Sequence, residues 1–196
     1  MPRKPRYLID RGYYHILNRG NDRKIIFRCK KDYEQFLEIL KTYLEKYKII
    51  IFNYCLMPNH FHLLIQVQEA KDLPKFMQGV LQVYASYFRK KYSSVGFVFQ
   101  NRYKSFYINK ENYLLECARY IERNPLRAEI TNNIFEYPWN SFSFYAEGNE
   151  NGIVKAANPC YLGLSESKIE RQSKFRDYVF EDRPYDRMVD EFFSVR

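Results

Sequence analysis

His60-Phe61-His62 is the pattern with the plainest chemical potential in this sequence. On an extended strand, residues two apart point to one face and lie about 6.6 Å apart along the chain. Both imidazoles can then converge on one ion while Phe61 turns to the opposite face. Only three histidines occur in the chain, and two are spaced this way. Histidine pairs that bind nothing are common, so the spacing leaves a metal-ligand pair and a structural pair both open.

A second pattern runs from Tyr113 to Pro125. At helical spacing, Leu114, Cys117, Ala118 and Ile121 form an apolar face, and Tyr120 and Asn124 share a neighbouring face with Tyr113 and Glu116. A tyrosine hydroxyl can act as a nucleophile and an amide oxygen as a metal ligand, so this pair, one turn apart, could serve one reaction centre. Tyr120 could equally be an interfacial aromatic and Asn124 a cap before Pro125. A phenol of ordinary pKa, about 10, is also a poor nucleophile at neutral pH without help.

These side chains need a frame. Tyr13 to Asn18 reads as a strand that stops at the turn-rich Arg19-Gly20-Asn21-Asp22. Lys31 to Tyr47 has helical apolar spacing. Ile49 to Met57 reads as a buried strand broken by Pro58-Asn59, a tight reversal that sends His60 to Val67 back antiparallel. Asp72 to Tyr92 reads as a helix with a basic end, Phe97 to Ile108 as an extended segment, and Lys110 to Asn124 as a helix stopped by Pro125. This order predicts an α+β fold, a ferredoxin-like antiparallel sheet of split βαβ type. Helices cover its faces, and the tyrosine-bearing helix is an addition. Residues 146 to 160 are polar and read as a linker. Ser165 to Phe180 reads as one more helix, with Ser167 and Glu170 spaced as a capping box, in a small helical C-terminal appendage.

Composition narrows the partners. The 196 residues carry 32 Lys and Arg against 23 Asp and Glu, a formal charge of +9, with 19 Tyr and 16 Phe. So many aromatics exclude a disordered chain. A basic, aromatic surface suits nucleic acid, because cations neutralise phosphates and rings stack on unpaired bases. Cys29, Cys55, Cys117 and Cys160 form no CxxC pair, which argues against a zinc site or a disulfide framework. Neither a secretory h-region nor a run of about 18 apolar residues is present, so the expected location is the cytoplasm.

Three segments together resemble a known family. They are Met57-Pro58-Asn59-His60-Phe61-His62-Leu63-Leu64, Phe99-Gln100-Asn101-Arg102-Tyr103-Lys104, and Tyr120-Ile121-Glu122-Arg123-Asn124-Pro125-Leu126-Arg127-Ala128. In this order and spacing they resemble the single-tyrosine HUH transposases, and most of all the REP-associated tyrosine transposase branch. Tyr137-Pro138-Trp139-Asn140-Ser141-Phe142 resembles the segment closing the catalytic domain there, and Asn18-Arg19-Gly20-Asn21 the loop after its first strand. The resemblance spans roughly residues 7 to 146. It implies a catalytic domain over residues 1–145, followed by the linker and a C-terminal extension over 161–196, which resembles the branch's small appendage more loosely.

By position, the resemblance implies His60 and His62 as ligands of a divalent cation, Mg²⁺ or Mn²⁺, with Asn124 as a further ligand and Tyr120 as the nucleophile. The implied activity is cleavage and rejoining of single-stranded, hairpin-forming DNA through a 5′-phosphotyrosine intermediate. A monomer is favoured over a helix-swapped homodimer. Arg102, Lys104, Arg123 and Arg127 are candidates for phosphate contacts and Arg19 for the edge of the site, although each also reads as a solvated surface charge. His15 reads as structural or DNA-facing. Glu122 stands where relatives often have a histidine, which could alter how the helix meets DNA, and Asn101 where a glycine is usual. Two other classes compete. One is a non-catalytic ferredoxin-like module binding single strands. The other is a metal-dependent hydrolase using an activated water, for which the motifs hold no convincing carboxylate base, although Glu116 sits on the right face.

Overall fold

The computed structural model describes residues 8–109, 112–181 and 183. The basic start Met1–Arg6, the expected helix start Lys110 and the end of the C-terminal extension lie outside these. Strand β1 (Tyr13–Arg19), helix α1 (Lys30–Leu44), strands β2 (Ile49–Met57) and β3 (His60–Val67), helix α2 (Asp72–Tyr92), strand β4 (Lys104–Ile108) and helix α3 (Asn112–Arg127) follow one another. Short helices α4 (Phe142–Ala146) and α5 (Pro159–Leu162) lead to α6 (Lys168–Phe180). The sheet order is β2-β3-β1-β4, with every pair antiparallel. That is the expected ferredoxin-like α+β arrangement. No helix of the described residues is long and apolar enough to cross a membrane.

Period-two alternation sends each strand's residues to two different cores. On one face, Tyr14, Ile16, Phe61, Leu63 and Ile65 pack beneath α1 and α2, with the Phe36 ring 4.9 Å from Phe61 and 5.1 Å from Tyr84. On the other, Cys55, Met57 and Leu64 meet Leu114, Cys117, Ala118 and Ile121 of α3. A bulge between Ile51 and Asn53 resets the parity of β2, so Phe52 and Asn53 both look toward α3. The outer edge of β2 is covered by the chain around Trp139. Leu56 N donates to Trp139 O, Ser141 N to Tyr54 O, and Tyr137 Oη to Leu56 O.

Two elements differ from expectation. The stretch from Phe97 to Ile108 pairs as a strand only from Lys104, opposite Leu17; before that, Phe99 makes an isolated bridge to Gly20. Helix α3 passes through Pro125 rather than stopping there. Proline has no N–H to give the Ile121 carbonyl, and the Asn124 amide nitrogen, bonded to Tyr120 O at 2.8 Å, lies within 3.4 Å of Ile121 O instead. In the C-terminal part, Ile153, Val154, Tyr161, Phe175 and Val179 are buried in the same apolar cluster as α1 and α2. Ser167 caps α6 as expected, but the Glu170 carboxylate bonds Ser165 and Lys174 rather than closing the box.

The start of α1 is tied to the end of α2 through buried Asp32. Its carboxylate accepts from Arg28 N, Cys29 N, Tyr87 Oη, Tyr92 Oη and Lys91 Nζ, the last at 2.6 Å. Burial pushes this carboxyl up, but the hydrogen bonds outweigh it and hold it at about 2. A depressed carboxylate contributes stability that is present above the unfolded pKa, near 3.8, and is lost as pH falls through 2. Asp32→Asn should therefore cost about 2 kcal/mol at pH 7 in urea unfolding, with the gap to wild type closing toward pH 2.

Candidate active site

The reversal at Pro58-Asn59 fixes where the histidines begin. Ile26 N and Phe27 N both donate to Pro58 O at 2.9 Å, Gly20 N donates to Asn59 O at 2.8 Å, and Asn59 Nδ2 donates to Arg23 O. The loop after β1 is thereby stitched to the hairpin tip. Gly20 is required for the tight fold of this loop itself, since a Cβ there would stand 2.1 Å from Lys24 O. From the tip, β3 sends His60 and His62 to the α3 face and Phe61 to the other, as the two-residue spacing predicts.

Each histidine is held by its Nδ1. His60 Nδ1 lies 2.6 Å from Asn59 Oδ1, and His62 Nδ1 lies 2.9 Å from His15 Nε2. His62 is fully buried, yet its Nε2 has no hydrogen-bond partner. Burial lowers His62 well below the usual imidazole value, with the charges of His60, His15 and Arg127 adding to the effect. His60 falls to about 4 through burial and Arg19, and His15 to about 3 through burial. All three are neutral at physiological pH, the form in which an imidazole binds metal.

Tyr120 packs edge-on to His62 and His15. Its ring centroid lies 5.6 Å from that of His62 and 5.8 Å from that of His15, and the Arg127 guanidinium sits 5.1 Å above the ring. Tyr120, His60, His62, Asn124, Arg19 and Arg127 all line one cleft of about 250 Å³. The Asn124 amide nitrogen is committed to helix carbonyls, which leaves its oxygen as the end available to a ligand. Among the described residues no three His, Cys, Asp or Glu side chains converge as a metal cluster. The donor set on offer is thus two imidazole nitrogens and one amide oxygen. That set, with an unpartnered buried Nε2, fits a divalent cation that completes its shell with phosphate and water oxygens.

The sequence of residues 9–124, more than half of the chain, matches the family model described as "Transposase IS200 like". The chain belongs to the IS200-like transposase family. This IS200-like transposase is also similar in fold to a REP-associated tyrosine transposase solved with a REP hairpin bound. Identity is 16%, the TM-score is 0.63, and the alignment covers 80% of this chain and 92% of that one. A putative transposase from Deinococcus radiodurans aligns over 66% of this chain and 91% of its own at 15% identity, with a TM-score of 0.42. No curated protein matches the sequence.

The remaining predicted residues of this transposase fall in three places. Arg102 and Lys104 line a smaller cavity of about 80 Å³ with Asn18 and Gln100, next to the main cleft and joined to it by Arg19. Arg123, expected at phosphate, instead donates to the carbonyls of Val179 and Glu181 at the end of α6, as Arg119 does to Tyr178 O and Glu181 O. Glu116, the carboxylate a hydrolase would need, is bound by Tyr178 Oη at 2.7 Å and by Arg183. Sequence reasoning missed Asn59 and His15 as partners of the two histidines. The pairing of His15 with Leu64, two residues along from Leu17 with His62 and so on the same face, is the register that puts His15 beside His62.

Glu122 faces the sheet rather than DNA, which corrects the expectation for this position. It is fully buried, its Oε1 accepting from Asn53 Nδ2 at 2.8 Å and from Ser141 Oγ. Burial pushes its carboxyl up to about 8, against those two hydrogen bonds. A raised carboxyl keeps its proton in the folded state. Its contribution to stability is therefore intact below about 4.5 and declines as pH rises through 8. Glu122→Gln keeps the accepting oxygen and removes the ionisation. The variant should unfold at higher denaturant than wild type by about 3 kcal/mol at pH 7, with the difference vanishing near pH 4.

Proposed function

We propose that this transposase cuts and rejoins single-stranded DNA through a covalent 5′-phosphotyrosine at Tyr120, with Mg²⁺ or Mn²⁺ held by His60, His62 and Asn124. The observation that carries the reading is the meeting of Tyr120 with both imidazoles in one cleft, where His62 Nε2 is buried without a protein partner. When bound, the cation would neutralise charge developing on the scissile phosphate and orient it.

The chain's own residues account for the rest. Arg19 and Arg127 line the cleft as positive charges for the phosphate, and Arg102 and Lys104 extend that path into the adjoining cavity at the start of β4. Edge-on packing against His62 and His15 holds the Tyr120 ring in line with the cleft. The phenol oxygen forms a bond to phosphorus as the bond from phosphorus to the 3′-oxygen breaks. The phenol proton is lost to solvent, and the departing oxygen ends as a 3′-OH. Because the phosphodiester energy is kept in the tyrosyl ester, the reverse step joins strands without ATP.

Hairpin-forming DNA is the proposed substrate class, since the REP-associated transposase of similar fold carries a REP hairpin. Tyr120 reaches histidines of its own chain, with α3 held by Arg119 and Arg123, which supports a monomer over a helix-swapped pair. The test is incubation of the full chain with Mn²⁺ and end-labelled DNA, either a hairpin with single-stranded flanks or the fully paired duplex. Denaturing electrophoresis should give a protein-linked band with the first and none with the second. Binding without cleavage would instead favour a non-catalytic module, and cleavage without a linked band a hydrolase.

A further inference from the structure

We propose that His15 is a positioning residue for this site, fixing His62, which lines the cleft, in the tautomer that leaves its Nε2 a bare lone pair. The inference rests on the metal reading above and adds a residue to it. A hydrogen bond between two imidazole nitrogens needs one N–H and one lone pair, and His15 Nε2 lies 2.9 Å from His62 Nδ1. If His62 Nδ1 carries the proton, its Nε2 is a lone pair able to bind a cation. With the proton on His15 Nε2, His62 Nε2 carries hydrogen and cannot bind. A cation at Nε2 selects the first arrangement, and His15 supplies the acceptor that sustains it.

Three features mark this as a built arrangement. His15 is fully buried, so it is not placed to touch DNA. Its ring is stacked on His62 with centroids 5.1 Å apart and planes 14° from parallel, which fixes the direction of the His62 ring. The same ring meets the edge of Tyr120, so one side chain sets both a ligand and the nucleophile. His60 has a parallel device in Asn59, whose Oδ1 accepts from Nδ1 at 2.6 Å. Each of the two proposed ligands is thereby engaged through its Nδ1, which leaves its Nε2 as the nitrogen to bind a cation.

The test compares wild type, His62→Ala, His15→Phe and His15→Gln for Mn²⁺ affinity by electron paramagnetic resonance. Nitrogen-15 spectra of the Mg²⁺-loaded wild type locate the shared proton. His15→Phe keeps a ring but loses the acceptor and should weaken Mn²⁺ binding about 10- to 100-fold. His15→Gln retains an accepting oxygen and should recover most of that loss. In wild type, the proton should reside on His62 Nδ1, with a nitrogen–nitrogen coupling across to His15 Nε2; this readout needs no variant to fold. A proton found on His15 Nε2 would overturn the inference. So would Mn²⁺ binding that is lost in His62→Ala but unchanged in His15→Phe, leaving the metal reading intact. Wild type that binds no Mn²⁺ would sink that reading and the inference with it.

Discussion

Tyr120→Phe is expected to lower strand cleavage by roughly 10⁴-fold or more, the scale seen when a covalent nucleophile is removed. The variant should leave DNA affinity within a few-fold of wild type. The substitution deletes one oxygen and keeps the ring that packs against His62, His15 and Arg127, so fold and cleft survive. Rates measured with Mn²⁺ on a hairpin substrate, beside binding measured by fluorescence anisotropy, separate the two effects. A variant that still cleaves within tenfold of wild type would show that another group attacks the phosphate. Tyr113 is half exposed on the same helix and is the control, since Tyr113→Phe should cleave normally.

The second large effect concerns the imidazoles. His60→Ala and His62→Ala should each reduce cleavage by about 100-fold or more, and chelation of divalent ions should arrest wild type until Mn²⁺ is restored. The two variants should differ in stability. His60 is partly exposed at the hairpin tip, and its loss should barely move the melting temperature. His62 is fully buried in a stack with His15 and Tyr120, and truncating it opens a cavity in that stack, costing about 2 kcal/mol or more. Equal activity losses with unequal melting temperatures, read by calorimetry and single-turnover cleavage, would distinguish loss of a ligand from loss of the fold. Full activity in excess chelator would remove the cation from the account.

Much of this frame was legible because local rules and tertiary packing agree. The hairpin of Ile49–Met57 and His60–Val67 has the bounds that Pro58-Asn59 dictates, and Asp72–Tyr92 follows its apolar periodicity to the residue. The alternation of His60, Phe61 and His62 survives because Phe61 has a core to enter, against Phe36. What escaped depends on partners distant in sequence. Nothing local marks the bulge at Ile51/Asn53 that turns Asn53 toward Glu122, so a buried carboxylate looked like a surface one. Arg123 reads as a phosphate ligand until the end of α6 arrives to take its donors. Pro125 reads as a stop until the Asn124 side chain covers for the missing N–H. His15 gains its meaning only from the β1–β3 register.

The most direct measurement is the identity of the tyrosine joined to DNA. Trypsin cuts after Arg119 and Arg123, so Tyr120–Arg123 is released as a short peptide holding one tyrosine. Mass spectrometry of the denatured, nuclease-trimmed adduct should find a 5′-linked nucleotide on that peptide and on no other. A nucleotide on the peptide bearing Tyr113, or cleaved DNA with every tyrosine unmodified, would contradict the assignment of Tyr120 as the attacking group.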